Sequence, residues 1–441
     1  MSALARYFNL KGLSVAGYDR TPSALTDTLQ KEGINIVFSD DESLIDENFR
    51  DPETTLVVYT PAIKEHRQLK YFMENNFKVL KRSQVLGMIT ESYKAVCVAG
   101  THGKTTISTM AAHLYTQSSV GCNAFLGGIS RNYETNFLWN EESCFAVVEA
   151  DEFDRSFLTL TPHTALVSAV DADHLDIYEN KENMVEAFIK FVEKIVHNGN
   201  FIVKHNLQVQ WRLNKNLNIF TYSLNDDTAD FFAENIRQDG AVYLFDLQTP
   251  GGLISNLKTG ILGLVNVENA VGACALALVN NVKTDEIRSA LPLFKGISRR
   301  FDILIDTPDL VYIDDYAHHP AEIRATLESV RFLYPNHKLS VIFQPHLFTR
   351  TRDFYKGFAE SLSLADELFL LDIYPAREEP VEGVTSKIIG DLVKNIPVFY
   401  CPKSEIAEKI KVNTPQVVVT MGAGDIDREV LKIKQKLILT L

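Results

Sequence analysis

The sequence predicts an α/β protein of three units, and three observations predict it. Short apolar runs of strand length alternate with helical stretches along the chain, as in sheets covered by helices. One strand–turn–helix boundary carries Gly100-Thr101-His102-Gly103-Lys104-Thr105-Thr106. The 441 residues are enough for two or three domains with their own cores. With 46% hydrophobic and 23% charged residues, the composition is that of an ordinary soluble globular enzyme.

The first unit spans residues 1–90. Met1 to Phe8 reads as a helix, and Leu13 to Asp19 as a strand ending in an acidic residue. Thr55-Leu56-Val57-Val58-Tyr59 reads as a strand closed by the Thr60-Pro61 turn. In a dinucleotide-type unit a first strand and a glycine-rich turn precede such an opening helix. The expectation is that this segment has been lost from the front of the sequence.

The second unit spans residues 91–297. Ala95-Val96-Cys97-Val98-Ala99 reads as a buried strand, and Ile107 to Tyr115 as a helix. Between them, Gly100 and Gly103 let the backbone approach phosphates, and free N–H groups at the helix start point at them. Lys104 supplies a fixed positive charge, and the Thr105 hydroxyl can hold Mg2+. The common form of this loop has a glycine where Val98 stands. A Gly-Lys-Thr turn can also merely cap a helix, but with strand and helix both in place ATP is the expected ligand. Cys144 to Val148 and Thr164 to Ser168 read as further strands. Glu149 opens the acidic turn Glu149-Ala150-Asp151-Glu152 at a strand end, where a Mg2+ ligand belongs. Asp171-Ala172-Asp173-His174 follows the next strand, and adjacent parallel strands deliver their C-terminal turns to one crevice. His174 is thus a candidate ligand for a second divalent ion. Asn266 to Leu278 reads as a small-residue-rich helix suited to close packing.

The third unit spans residues 298–441. Arg299-Arg300-Phe301 opens it, and an arginine there can clamp a γ-phosphate when domains close. Val311-Tyr312-Ile313 precedes a helix beginning near Pro320, a suitable first-turn residue. Leu339 to Phe343, Glu367 to Leu371 and Gln416 to Thr420 read as buried parallel strands. Asp314-Asp315-Tyr316-Ala317-His318-His319-Pro320 and Gln344-Pro345-His346-Leu347-Phe348-Thr349-Arg350 are strand-end turns. Two histidine-bearing turns in one sheet point to a site, where His346 and Arg350 can meet an amino acid, guanidinium on carboxylate. His205 and His337 stand in no such company and read as structural or exposed.

A formal net charge of −13 argues against nucleic acid as a main partner. No apolar run is long enough to span a bilayer, and the front lacks the apolar stretch of a signal peptide. The five cysteines are scattered, with no metal-binding spacing and no even count for a disulfide framework. A reducing cytoplasm is the expected location.

These turns, in this order, resemble the Mur ligase family, ATP-dependent amide-forming enzymes of peptidoglycan synthesis, over essentially the whole chain. Met421-Gly422-Ala423-Gly424-Asp425-Ile426 is typical of its alanine-adding branch. The resemblance implies a Rossmann-like UDP-sugar domain, a central P-loop ATPase-like domain and a Rossmann-like amino-acid domain. It implies the substrates UDP-N-acetylmuramate and L-alanine, with ATP and Mg2+, in a monomer or homodimer. Gly100, Thr101, His102, Gly103, Lys104, Thr105 and Thr106 would surround the phosphates, with Lys104 on the β/γ pair. Thr105 and Glu149 would bind one Mg2+ and His174 a second. Asn266 and Asn269 resemble adenine-contacting asparagines; Arg300 would reach the phosphates and Asp315 the ribose. His346 and Arg350 would hold L-alanine, with Tyr316 and His318 nearby. Lys104, His174, Arg300 and His318 form the implied catalytic set. Three departures stand out: Val265 replaces a histidine before Asn266, Leu347 replaces a basic residue, and the N-terminal glycine-rich turn is absent. A sister ligase adding a preformed murein tripeptide, a folate-type polyglutamate ligase and a non-catalytic ATP-binding homologue remain the alternatives.

Overall fold

The computed structural model describes residues 1–441 except 62, 64, 65, 172–174, 214, 215, 240, 241, 377, 411–415, 440 and 441. The described residues form two compact units, Met1–Ile261 with Val265–Lys295, and Leu262–Leu264 with Gly296–Leu441. No helix among the described residues is long and apolar enough to cross a membrane.

The first unit is centred on a ten-stranded sheet among the described residues. Its middle is parallel. The strand Lys94–Ala99 lies between Phe145–Glu149 and Thr164–Val167. Asn123–Ser130 extends the sheet on one side, and Asn200–Lys204 and Asn218–Ser223 extend it on the other. Ala95 to Ala99 have no solvent exposure, as expected for a central strand buried on both faces. In the register, Val98 stands beside both Glu149 and Leu166. The loop after Ala99 therefore opens level with the exits of its two neighbours. The meander Phe231–Asp239, Val242–Thr249 and Gly252–Lys258 closes one edge, with an antiparallel ladder between successive members.

Residues 1–90 belong to this same compact unit. The opening helix Ser2–Leu10 packs against the Asn123–Ser130 and Thr135–Leu138 hairpin. Tyr7 is buried in ring contact with Phe125, Phe137 and Trp139. Arg6 ties the same helix to Glu32 at 2.8 Å and to Thr135 and Asn136 at 3.2 Å. Two small parallel pairs follow, Ala16–Tyr18 with Asn35–Val37 and Leu56–Tyr59 with Lys78–Lys81. The strand expected over Leu13 to Asp19 is realised only as Ala16–Tyr18. Its partner offers three register positions, and Leu13 is left 56% exposed.

The second unit carries six described strands. In spatial order they are Asp302–Asp306, Leu310–Asp315, Gln416–Met421, Lys338–Phe343, Glu367–Leu370 and Val398–Tyr400. All pairs are parallel except the first. Alternate residues feed the two faces. Val311 and Ile313 join Ile323, Leu327 and Phe358 from helices Pro320–Leu333 and Phe348–Leu362. Leu310 and Tyr312 join Ile406 and Ile433 from helices Ile406–Lys409 and Asp427–Ile438. Pro320 stands at the first helical position, where its missing N–H costs no hydrogen bond. His319 and Glu322 complete a reciprocal cap. The last strand in sequence lies between the first two parallel ones, so the exits after Asp315, Met421 and Phe343 lie together at the carboxyl edge.

Candidate active site

In the first unit, Gly100 and Gly103 carry φ of +136° and +81°, a region in which side chains are strained. The loop is fixed on the exit of strand Thr164–Val167. Thr101 N–H donates to Ala169 O at 3.0 Å, and Asp171 N–H donates to Thr101 Oγ1 at 3.1 Å. Ser168 Oγ donates to the carbonyls of Ala99 and His102. A Cβ on Gly100 would strike Ser168, so only glycine lets the loop lie this close. Gly103 caps helix Lys104–Thr116, whose first N–H groups are directed as an anion site requires. Thr106 lies in that first turn, half-buried. His102 Nε2 is 3.7 Å from Asp171 Oδ2.

Lys104 Nζ donates to Gly100 O at 2.6 Å and to Glu152 Oε1 at 2.8 Å. Burial opposes its charge, but Glu152, with Glu149 and Asp151 behind it, raises its pKa, so Lys104 is held as a cation. Burial pushes the Glu152 carboxyl up, and Lys104 opposes that shift. The 2.8 Å contact and the direction at Lys104 describe the pair as ionic. The acidic turn thus divides its work. Glu149 ends its strand and accepts from Thr105 Oγ1 at 3.0 Å through one oxygen and from Gly127 N–H at 3.0 Å through the other. Glu152 lies wholly inside and faces the lysine. Asp154 and Arg155, just beyond, both adopt left-handed backbone, with φ of 53° and 55°. Tyr178 donates to Glu152 O at 2.6 Å, which ties the turn down.

Thr105 and Glu149 offer hard oxygen donors beside a phosphate loop, a set that suits Mg2+ when phosphates and water complete its shell. Among the described residues, no three His, Cys, Asp or Glu side chains gather into a metal cage. His174, expected as a ligand of a second ion, lies outside the described residues. Asn266 and Asn269 are buried on helix Leu264–Val279, with Asn269 Nδ2 donating to Asn266 Oδ1 at 2.9 Å. A Cβ on Gly103 would lie 3.1 Å from Asn269 Oδ1, so this helix touches the loop.

The second unit gathers Tyr316, His318, His346 and Arg350. His318 Nδ1 donates to Tyr316 O at 3.0 Å, and its ring is 5.2 Å from that of Tyr316 and 6.1 Å from that of His346. Arg350 donates to His346 Nδ1 at 3.4 Å. Burial lowers the pKa of His318 to about 4. Burial, with His318 and Arg350 beside it, lowers that of His346 to about 3. Both imidazoles are therefore neutral near pH 7, with hydrogen-bonding edges rather than charges. Arg300 lies over the Tyr316 ring at 4.9 Å, with Arg299 also against it at 5.2 Å. Asp315 is buried. Its oxygens accept from Thr326 Oγ1 at 2.7 Å and Ala317 N–H at 3.1 Å, and burial raises its pKa to about 6.

Sequence reasoning missed Tyr374 and Glu378. Tyr374 stacks on His346 with ring centres 5.8 Å apart and bridges its backbone. Leu347 N–H donates to Tyr374 O at 2.9 Å, which holds Leu347 at φ +70°. Glu378 accepts from the Thr349 N–H and hydroxyl at the start of the next helix. The sequence does carry a signal for them: both follow the strand expected over Glu367 to Leu371, at the same kind of exit as the two histidine-bearing turns.

Three models of one family match the chain. The Mur ligase family catalytic domain matches residues 1–94, the Mur ligase middle domain 98–277, and the Mur ligase glutamate ligase domain 299–424. The UDP-N-acetylmuramate–L-alanine ligase of Phocaeicola vulgatus is 51% identical over 435 residues, covering 98% of this chain and 94% of that protein. Among solved structures, the UDP-N-acetylmuramate–alanine ligase of Thermotoga maritima superposes with a TM-score of 0.83 at 26% identity, covering 100% and 97% of the two chains. A murein peptide ligase of Psychrobacter arcticus shares the fold, with a TM-score of 0.72 at 22% identity over 99% and 96%. With identity of this order over nearly its full length, and with a phosphate loop and a histidine–arginine cluster built as described, the chain belongs to the Mur ligase family.

Proposed function

We propose that this chain joins L-alanine to the lactyl carboxylate of UDP-N-acetylmuramate at the expense of ATP, in peptidoglycan precursor synthesis in the cytoplasm. The observation that carries the reading is the phosphate loop, with Lys104 held as a half-buried cation against Glu152 and Thr105 and Glu149 paired beside it. The choice of L-alanine draws on relatives such as that of Phocaeicola vulgatus. A free carboxylate is a poor acyl donor. It therefore attacks the ATP γ-phosphorus, ADP leaves and an acyl phosphate forms. The amine of L-alanine adds to the acyl carbon, the C–O bond to phosphate breaks, and the departing phosphate takes the amine proton as the amide forms.

Gly100 to Thr106 enclose the phosphates, and Lys104 offsets the crowding between carboxylate and triphosphate. Thr105 and Glu149 would hold one Mg2+, and His174, which lies outside the described residues, a second. When bound, the ion neutralises triphosphate charge as a Lewis acid. Asn266 and Asn269 receive the adenine, Asp315 the ribose, and Arg300 the phosphates. Arg350 and His346 take the alanine carboxylate, one as a cation and the other as a neutral donor. Tyr316 and His318 flank the amine. A pKa near 4 suits His318 to accepting a hydrogen bond from the amine rather than to carrying its proton away.

The test is phosphate release from ATP and Mg2+ with UDP-N-acetylmuramate and L-alanine supplied singly and together. Release only with both present is expected. Release with a murein tripeptide but not with L-alanine would assign the sister activity instead. ATP binding without any substrate-dependent release would make the chain a non-catalytic homologue.

A further inference from the structure

Gly127 lies on strand Asn123–Ser130, which pairs with the strand that ends in Glu149. Its N–H donates to Glu149 Oε2 at 3.0 Å while Thr105 Oγ1 donates to Oε1. A Cβ at position 127 would overlap Oε1, Oε2 and the carboxyl carbon of Glu149 together. No other atom ranks among the three nearest. The backbone here is outside the left-handed region, so alanine is conformationally permitted. What glycine provides at this position is space, and that space is filled by one carboxylate.

We propose that Gly127 is a positioning residue that seats the Glu149 carboxylate for a divalent cation. This rests on the reading of Glu149 as a metal ligand. The side chain of a glutamate end is flexible, so a methyl group at 127 swings the carboxylate away rather than disturbing the strand. Hydrogen bonds from groups behind a ligand orient it, and losing one costs about 10–100-fold in metal affinity. Here the steric displacement acts on the same carboxylate as the lost hydrogen bond.

The experiment titrates Mn2+ into the full chain with a non-hydrolysable ATP analogue, read by water-proton relaxation. Gly127→Ala, Glu149→Gln and the double variant are compared. Gly251→Ala, where the nearest atom to a Cβ lies at 3.6 Å, is the control. The proposal expects Gly127→Ala and Glu149→Gln each to weaken Mn2+ at least about 10-fold. It also expects the double variant to add nothing, and the melting temperature and metal-free analogue binding to stay at wild-type values. Normal Mn2+ binding in Gly127→Ala beside a loss in Glu149→Gln overturns the positioning role and leaves the metal reading standing. Normal binding in both overturns the two together.

Discussion

Lys104 answers to two demands on its charge. In the structure its ammonium is paired with Glu152 inside the protein, and in the proposed reaction it faces phosphate. Lys104→Ala is expected to lower turnover by about 10²–10³-fold or more, the scale for losing one preorganised electrostatic partner. A reading from sequence expects the fold to remain intact. The structure adds a cost, because the substitution leaves Glu152 buried without its cation. Breaking such a pair costs up to about 3–5 kcal/mol. Lys104→Ala should therefore melt earlier, and adding Glu152→Gln should restore melting but not turnover. Turnover near normal in Lys104→Ala would refute the assignment of the phosphate loop; stability unchanged in that variant would refute the buried pair.

At the scale of the element, helix Phe348–Leu362 carries Arg350 in its first turn and begins at the strained Leu347. Such a backbone persists only where its surroundings over-determine it. Leu347 N–H is held by Tyr374 O, Leu347 O accepts from Thr351 N–H at 3.1 Å, and Glu378 caps Thr349. A carboxylate there meets both the unsatisfied N–H groups and the positive end of the helix. Glu378→Ala is expected to cost about 1 kcal/mol of stability. Because the loosened turn bears Arg350, the KM for L-alanine should rise several-fold while the KM for ATP holds. Steady-state kinetics with each substrate varied will show this; an equal rise in both would indicate general destabilisation.

Across the whole molecule, buried titratable groups set the response to acid. His318 and His346 have folded pKa values of about 4 and about 3, below the ordinary histidine value of 6.5. Between those limits the unfolded chain binds more protons than the folded one, so stability falls as pH drops. Asp315 works in the opposite sense. Raised to about 6 from 3.8, it stabilises at low pH, and that contribution fades as pH rises through 6. His113 and His163, also lowered by burial, act with these two histidines. Glu152 and Asp314, raised by burial, act with Asp315. Asp366 and Asp425, held below the ordinary carboxylate value, lose stability as pH falls. A net loss of stability is therefore expected on going from pH 6.5 to 4. Urea unfolding at pH 4.5 and 7 should show it, and His346→Gln should make the slope shallower. A wild-type chain more stable at pH 4.5 would show that the imidazoles are not buried as neutral groups.

The sequence by itself determined the α/β class, the phosphate loop between its strand and helix, and the two histidine-bearing turns. Each is a local pattern: a short apolar run, a glycine pair, a proline at a helix start. Five residues of buried strand before Gly100 are legible because a central parallel strand is apolar on both faces. Tertiary structure alone decided which turns share an edge and what each acid does. Gln416–Met421 inserts between strands that lie far earlier in the chain, so Gly422 N–H reaches Asp315 O, and Gln344 reaches Asp425 and Ile426. Glu149 and Glu152 are alike in sequence and differ only in what surrounds them, a serviceable strand end for one and a lysine in the interior for the other. Gly127 was invisible for the same reason, whereas Tyr374 stands at the exit of a strand that was legible. Strand order and register are settled by long-range packing, and no run of neighbouring residues records them.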